Sequence, residues 1–415
     1  MIKDLFPIAF KRYVALPLLG STLEDFAEFI QGLGYTHRAI RCRMKATPTI
    51  DKRLRHLKCH SITKINRAML LACAPPPGKA KEDVHVAATV KLLERYFDKQ
   101  KIFPPPGPPT PIEEKVACYS YYLKNMRGLA LPTIQSHCLT YSRFLIFFNK
   151  RNKSLCLQKL LPRDVENFIC KAGSAIGRDT LQHTIAHIRS FLRFLAVHNE
   201  APVGLDNQID TPRVYRGEKL PRSLNWETVN ALLKSIDRST AIGKRDYSIL
   251  LLIATYGLRS NEVVGLKLEN IIWRRNCLKI YQSKTAASLV LPLTDAVGES
   301  IIDYIRRGRP SVTYREIFVR HRTPSGILKS TAITEVFQAW ARRSKLGIPF
   351  NGPHCLRHSY AVHLLRQGNS LKTIGDILGH RDFESTCVYL RLNTEDLRTV
   401  PLSLPTISLS NQGAS

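Results

Sequence analysis

Six of the eight residues from Pro104 to Pro111 are proline, separated only by Gly107 and Thr110. Proline fixes φ at about −65° and carries no N–H, so neither a helix nor a sheet ladder continues through such a run. The chain there adopts stiff, extended geometry instead. A shorter run, Pro75-Pro76-Pro77-Gly78, lies upstream. At 415 residues the chain is in any case longer than one ordinary core supports. A domain boundary is therefore expected near residue 105.

Charge narrows the partner. The sequence has 62 Lys+Arg against 33 Asp+Glu, a formal charge of +29, while its 44% hydrophobic content is ordinary. Such an excess repels itself in a compact state and is tolerated where a polyanion binds, nucleic acid first and an anionic membrane second. A merely basic soluble enzyme is the bland alternative. No run of about twenty apolar residues suggests a membrane span. Asp4 and Pro7 interrupt what would be the apolar stretch of a signal peptide, so a cytoplasmic location is expected. The ten cysteines include no Cys-x-x-Cys pair, which points to reduced, mostly buried thiols. His37, Cys42, His56, Cys59, His60 and Cys73 fit no zinc spacing, and no metal is expected.

The apolar periodicity is mainly helical. Ser21-Thr22-Leu23-Glu24 has the form of a capping box before a helix that Gly32 and Gly34 end. Basic helices are expected over 36–44 and 50–71, and another helix over 86–97. Thr110-Pro111-Ile112-Glu113 is a capping box with proline at the first helical position, so the proline run itself should end by starting a helix. Helices over 131–149, 162–170 and 178–198 follow, the last with Arg189 and Arg193 left for solvent or phosphate. Pro202, Gly204, Pro212, Gly217 and Pro221 mark a linker. Beyond it, Asn225 is a candidate cap for a helix over 226–236, and an apolar helix over 246–254 follows. The period then changes: 277–281 and 289–293 are short, β-prone runs that suggest a hairpin with Lys284 near its turn. Helical patterns return over 296–306, 330–344, 354–367 and 370–378.

Four separated signals carry chemistry. Thr255-Tyr256-Gly257-Leu258-Arg259-Ser260-Asn261-Glu262 places an arginine at a glycine-broken helix junction, with Glu262 one turn along to orient it. Lys284 is at the hairpin. Gly352-Pro353-His354-x-x-Arg357-His358-Ser359-Tyr360-Ala361 puts His354 and Arg357 on one face near a helix start. Leu378-Gly379-His380 is followed nine residues later by Tyr389. Cleaving a phosphodiester without metal needs a nucleophile, charge neutralisation of the phosphorane and a proton for the leaving oxygen. Tyrosine can be the nucleophile, guanidinium forks match phosphate, and imidazole suits proton transfer near neutral pH. No cluster of carboxylates suggests a required Mg²⁺, and no cofactor is expected.

Together and in this order, these motifs resemble the tyrosine recombinase, or phage-type integrase, family, in particular its extended, transposon-type members. The resemblance implies a mainly α fold with a small β-sheet. It divides the chain into a basic helical N-terminal extension (1–104), a helical, SAM-like core-binding domain (105–200), a linker (201–222), a mixed α/β catalytic domain (223–400) and a C-terminal tail (401–415). It implies Tyr389 as nucleophile, forming a 3′-phosphotyrosyl link. Arg259 and Arg357 would grip the phosphate, Lys284 would protonate the 5′ oxygen, His354 and His380 would assist, and Glu262 would support Arg259. The residues after Lys284, Thr285-Ala286-Ala287-Ser288, depart from the basic or glycine-rich hairpins common in the family. Candidate DNA contacts are Arg38, Arg41 and Arg43 on the first basic helix, with Thr133, Gln135, Arg143, Arg189 and Arg193 in the core-binding domain. The implied partner is double-stranded DNA, bound by a tetrameric homo-oligomeric synapse that could include related recombinase subunits. The implied location is the nucleoid, with no membrane. The tail from Arg391 onward would dock on the next protomer. The alternatives are a catalytically reduced, DNA-binding accessory subunit and a type IB topoisomerase-like activity.

Overall fold

The computed structural model describes residues 1–76, 80–105, 107–153, 155–213, 221–282, 287–380, 382 and 384–392. The fold is mostly helical with one three-stranded antiparallel sheet, ordered β1 (Ile271–Ile272), β2 (Cys277–Gln282) and β3 (Ala287–Pro292). Contacts group the chain into two units, one made of Met1–Phe103 with Lys219–Ser415, the other of Pro104–Glu218.

In the second unit, Thr110 closes the expected capping box. Its hydroxyl accepts from the Glu113 N–H at 3.3 Å, and the Glu113 carboxylate accepts from the Thr110 N–H at 2.7 Å. The helix Pro111–Asn125 starts there, and Leu131–Asn152, Pro162–Gly173 and Arg178–Val197 complete a four-helix core. Tyr119, Phe144 and Phe191 are fully buried in it. Each such ring stabilises the packing by roughly 1.5–3 kcal/mol.

The segment after the last helix differs from a plain linker. Ala201, Leu205 and Ile209 are buried in the same core. Arg189 donates to the Ile209 carbonyl, and Arg193 pairs with Asp206 at 3.2 Å. Both arginines were expected to face solvent or phosphate; Arg189 is only partly exposed and holds the returning chain, while Arg193 does face solvent and pairs with Asp206 there. A carbonyl and a carboxylate a few residues beyond the helix end satisfy them locally.

Met1–Phe103 builds its own core from Ile2 to Phe97, with Phe26, Tyr96 and Phe97 at its centre. The capping box at Ser21 does not form. The helix Leu23–Gly32 has Thr22 at its N-cap without a side-chain bond, and Glu24 instead takes the Met1 ammonium at 2.6 Å and the Ile2 N–H at 3.1 Å. A charged donor outcompetes a neutral amide for the carboxylate. The basic helix expected over 50–71 is split into Thr47–His56 and Arg67–Ala72, because Lys58 turns left-handed (φ 58°) and Asn66 caps the second piece through Met69 N at 2.8 Å. None of the ten cysteines is in a disulfide, but only Cys59, Cys73 and Cys355 are buried, fewer than the composition suggested.

The core of 219–415 forms around the helix Ala241–Tyr256. Asp246 on that helix accepts from Arg245 (2.7 Å) and from the Trp340 indole N–H (3.0 Å), tying in the helix Ser330–Arg343. The Tyr256 hydroxyl donates to the Pro292 carbonyl at 2.8 Å, which fixes the end of β3 against the helix terminus. The hairpin pairs Gln282 with Ala287. No helix among the described residues is long and apolar enough to cross a membrane.

Candidate active site

Two helices that end in left-handed glycines converge on one arginine. The helix Ala241–Tyr256 ends at Gly257 and the helix Leu371–Leu378 at Gly379, both with φ 63°. Helix C-termini leave carbonyls without intrahelical donors and carry partial negative charge, so cations are favoured there. Arg357, on the helix His354–Arg366 and 2% exposed, supplies both: one Nη donates to the Gly257 carbonyl, the other to the Leu378 carbonyl at 2.7 Å. Burial above all, then Arg259, pulls its pKa down to about 10, so it stays cationic at neutral pH.

Arg259 follows two residues after Gly257. The buried Glu262 carboxylate holds it twice, accepting from the Arg259 backbone N–H and from its guanidinium, both at 2.8 Å. A longer 3.5 Å contact runs from the same guanidinium to the Gly379 carbonyl. The two arginines thus flank the Leu378–His380 turn.

His380 leaves that turn with its Nδ1 2.8 Å from the hydroxyl of Thr386, which is fully buried. Burial first, then Arg357 and Arg259, lowers its pKa to about 4, so the imidazole is neutral at pH 7. Tyr389, in the short 3₁₀ helix Val388–Leu392, is 2% exposed and packs with Ala361, Val362, Ile374 and Leu378. Burial raises its hydroxyl above the ordinary tyrosine value, with Arg357 and Arg259 acting against that rise. The hydroxyl lies 3.2 Å from His358 Nδ1. His354 meets His358 edge to face, with ring centroids 4.5 Å apart. Both histidines line a cavity of about 280 Å³ with Pro221, Arg222, Phe350, Gly352 and Cys355.

Of the residues singled out from sequence, Arg259, Glu262, His354, Arg357, His380 and Tyr389 therefore come together. Lys284 lies outside the described residues. The last residue of β2, Gln282, is 3% exposed and sits against Gly379, where an added Cβ would meet its amide at about 2 Å. His358, Thr386, Gln282 and Arg222 were missed. His358 had a readable signal, since it stands four residues after His354 and so shares its helix face. Thr386 had none, because its role depends on a turn.

The candidate DNA contacts are carried by other helices. Arg38 is exposed, Arg41 covers the Phe6 ring at 5.4 Å, and Arg43 shares a hydrogen bond with His85 at 3.3 Å. Thr133, Gln135 and Arg143 are exposed on the helix Leu131–Asn152.

Gly257 is needed twice over. Its φ is left-handed, and an added Cβ would meet Leu378 Cδ2 at 2.5 Å inside the core. Gly257→Ala is expected to destabilise this unit by about 1–3 kcal/mol through strain and overpacking. Chemical denaturation would measure it; an unchanged midpoint and slope would contradict the packing described.

Residues 222–396 match the model of the phage integrase family, and residues 116–199 match that of the phage integrase N-terminal SAM-like domain. "Putative integrase/recombinase y4rA" of Sinorhizobium fredii (strain NBRC 101917 / NGR234) is 32% identical over 298 residues, covering 72% of this chain and 72% of that protein. Tyrosine recombinase XerD of Lacticaseibacillus casei is 26% identical, covering 69% of this chain and 96% of XerD. Among solved structures, XerH site-specific recombinase bound to palindromic difH substrate, in a post-cleavage complex, shares the fold. Its TM-score is 0.56 at 20% identity, covering 68% of this chain and 83% of XerH. The chain belongs to the phage integrase family of tyrosine recombinases.

Proposed function

We propose that this protein is a site-specific DNA recombinase that cuts and rejoins strands through a 3′-phosphotyrosyl intermediate at Tyr389. The observation that supports this reading best is the convergence of Arg259, Arg357 and His380 on the Tyr389 phenol, with His354 packed on the neighbouring His358, from segments far apart in the chain. A scissile phosphate placed between the two guanidiniums has its charge neutralised as the phosphorane forms. Tyr389 attacks phosphorus, and the 5′ oxygen leaves with a proton from Lys284. The link conserves bond energy, so the 5′ hydroxyl of a second strand can reverse the step and produce a Holliday junction within a tetramer. Residues 1–115, which precede the family match, fit an extended recombinase that integrates or excises a mobile element in the nucleoid.

A duplex nicked close to the cleavage position tests the reaction, because the short fragment diffuses away and traps the adduct. A covalent protein–DNA band is expected. Its absence would leave the accessory-subunit reading standing, and supercoil relaxation without strand exchange would favour a topoisomerase. Binding is expected to weaken steeply with salt, as counterions released from roughly six to ten phosphate contacts imply a loss of about 10³–10⁵ between 50 and 200 mM. Filter binding across that range would reveal it, and a flat profile would refute phosphate-dominated binding.

A further inference from the structure

We propose that His358 is the base that takes the proton of Tyr389. This rests on the reading of Tyr389 as nucleophile and goes beyond it by naming the acceptor. A buried phenol cannot attack phosphorus until something removes its proton, and burial opposes ionisation here. His358 Nδ1 is the imidazole nitrogen at hydrogen-bond distance from that hydroxyl, 3.2 Å. The other imidazole beside the ring, His380, has its own Nδ1 engaged by Thr386. His354 reaches His358 ring to ring rather than the hydroxyl.

The surroundings keep His358 able to accept. Burial leads, and His354 and Arg357 on its own helix, His380 beyond Gly379, and Arg222 ahead of the helix Trp226–Lys234 add to it, placing the pKa at about 4. At neutral pH the ring is therefore unprotonated and its Nδ1 lone pair can receive the tyrosine O–H. A base that weak is slow, but a phosphodiester seated between Arg259 and Arg357 brings a negative charge that offsets theirs and raises His358 toward the range where it holds a proton. The ring also borders the 280 Å³ cavity, which leaves one of its sides open to a small solute.

The step balances. The Tyr389 O–H bond breaks as its oxygen bonds phosphorus, the proton moves to His358 Nδ1, and the P–O5′ bond breaks with its electron pair on the departing oxygen, which the general acid protonates. On resealing, a 5′ hydroxyl gives its proton to the deprotonated general acid as its oxygen bonds phosphorus, the phosphotyrosyl P–O bond breaks, and His358 returns its proton to the phenolate.

His358→Asn places an amide oxygen near the former Nδ1, so it can accept the hydrogen bond but cannot take the proton. In the full chain, with DNA binding as in the parent, adduct formation on the nicked duplex is expected to slow by about 10²–10⁴-fold. Its rate is also expected to climb with pH where the parent's is flat, because hydroxide replaces the missing base. A substrate with sulfur at the bridging 5′ position needs no acid for its leaving group, and the variant is expected to remain slow on it. Imidazole added to His358→Ala supplies a base that the cavity can admit, and should restore the rate in a saturable way. Parental rate and pH profile in His358→Asn, rescue by the sulfur substrate, or no response of His358→Ala to imidazole would each overturn the assignment. An adduct that survives Tyr389→Phe would instead remove the nucleophile reading itself, so the two failures are distinguishable.

Discussion

Tyr389→Phe is expected to leave folding and DNA binding intact and to abolish the covalent adduct. Phenylalanine keeps the ring that fills the cluster of Ala361, Val362, Ile374 and Leu378. What is removed is the hydroxyl and its bond to His358, a loss of about 0.5–1.5 kcal/mol in stability. Rate is another matter, since no other group would form the bond to phosphorus. Deleting a covalent nucleophile costs on the order of 10⁶-fold, below what a gel resolves. An adduct formed by the phenylalanine variant would move the nucleophile elsewhere in the chain.

Arg357→Ala is expected to damage both stability and cleavage. The buried guanidinium satisfies the carbonyls of Gly257 and Leu378, which end two different helices. Without it each is left without that donor, at roughly 1–3 kcal/mol apiece, and the site loses a cation worth about 10²–10³-fold in rate. Arg357→Lys separates the two effects. A single ammonium keeps the charge but not the planar fork, so it cannot span two carbonyls and still present a phosphate-facing donor. It is expected to regain part of the stability and little of the cleavage rate. Denaturation midpoints read the first, single-turnover adduct formation the second. Cleavage near the parental rate in Arg357→Lys would show that charge alone suffices.

The elements most readable from sequence are those whose signals are local. Thr110 and Glu113 cap a helix because nothing nearby competes for either side chain, and the runs flanking Lys284 pair as a hairpin because both are short, β-prone and close in sequence. Glu24 shows the opposite case, where the chain's own amino terminus, distant in sequence, claims the carboxylate that a capping box needed. The partners of Arg189 and Arg193 were hidden for the same reason: Ile209 and Asp206 meet them only after the chain doubles back. In the site, Arg259, His354, Arg357, His380 and Tyr389 were legible as motif residues with spacing. The partners that orient them were not, because Thr386 and Gln282 gain their positions from the turns around Gly379.

The burial of Tyr389 has a mechanical side. A DNA end joined to that hydroxyl would be fastened to a residue wedged among the helices His354–Arg366 and Leu371–Leu378, not to a side chain on a loose arm. Pulling the end away would mean extracting the ring from its apolar seat, a resistance of roughly 1.5–3 kcal/mol on top of the covalent bond's own strength. The attached strand would then pivot about a fixed post. Its freedom to find a partner would come from the DNA, while the protein end stays registered between the two arginines until the bond is reversed.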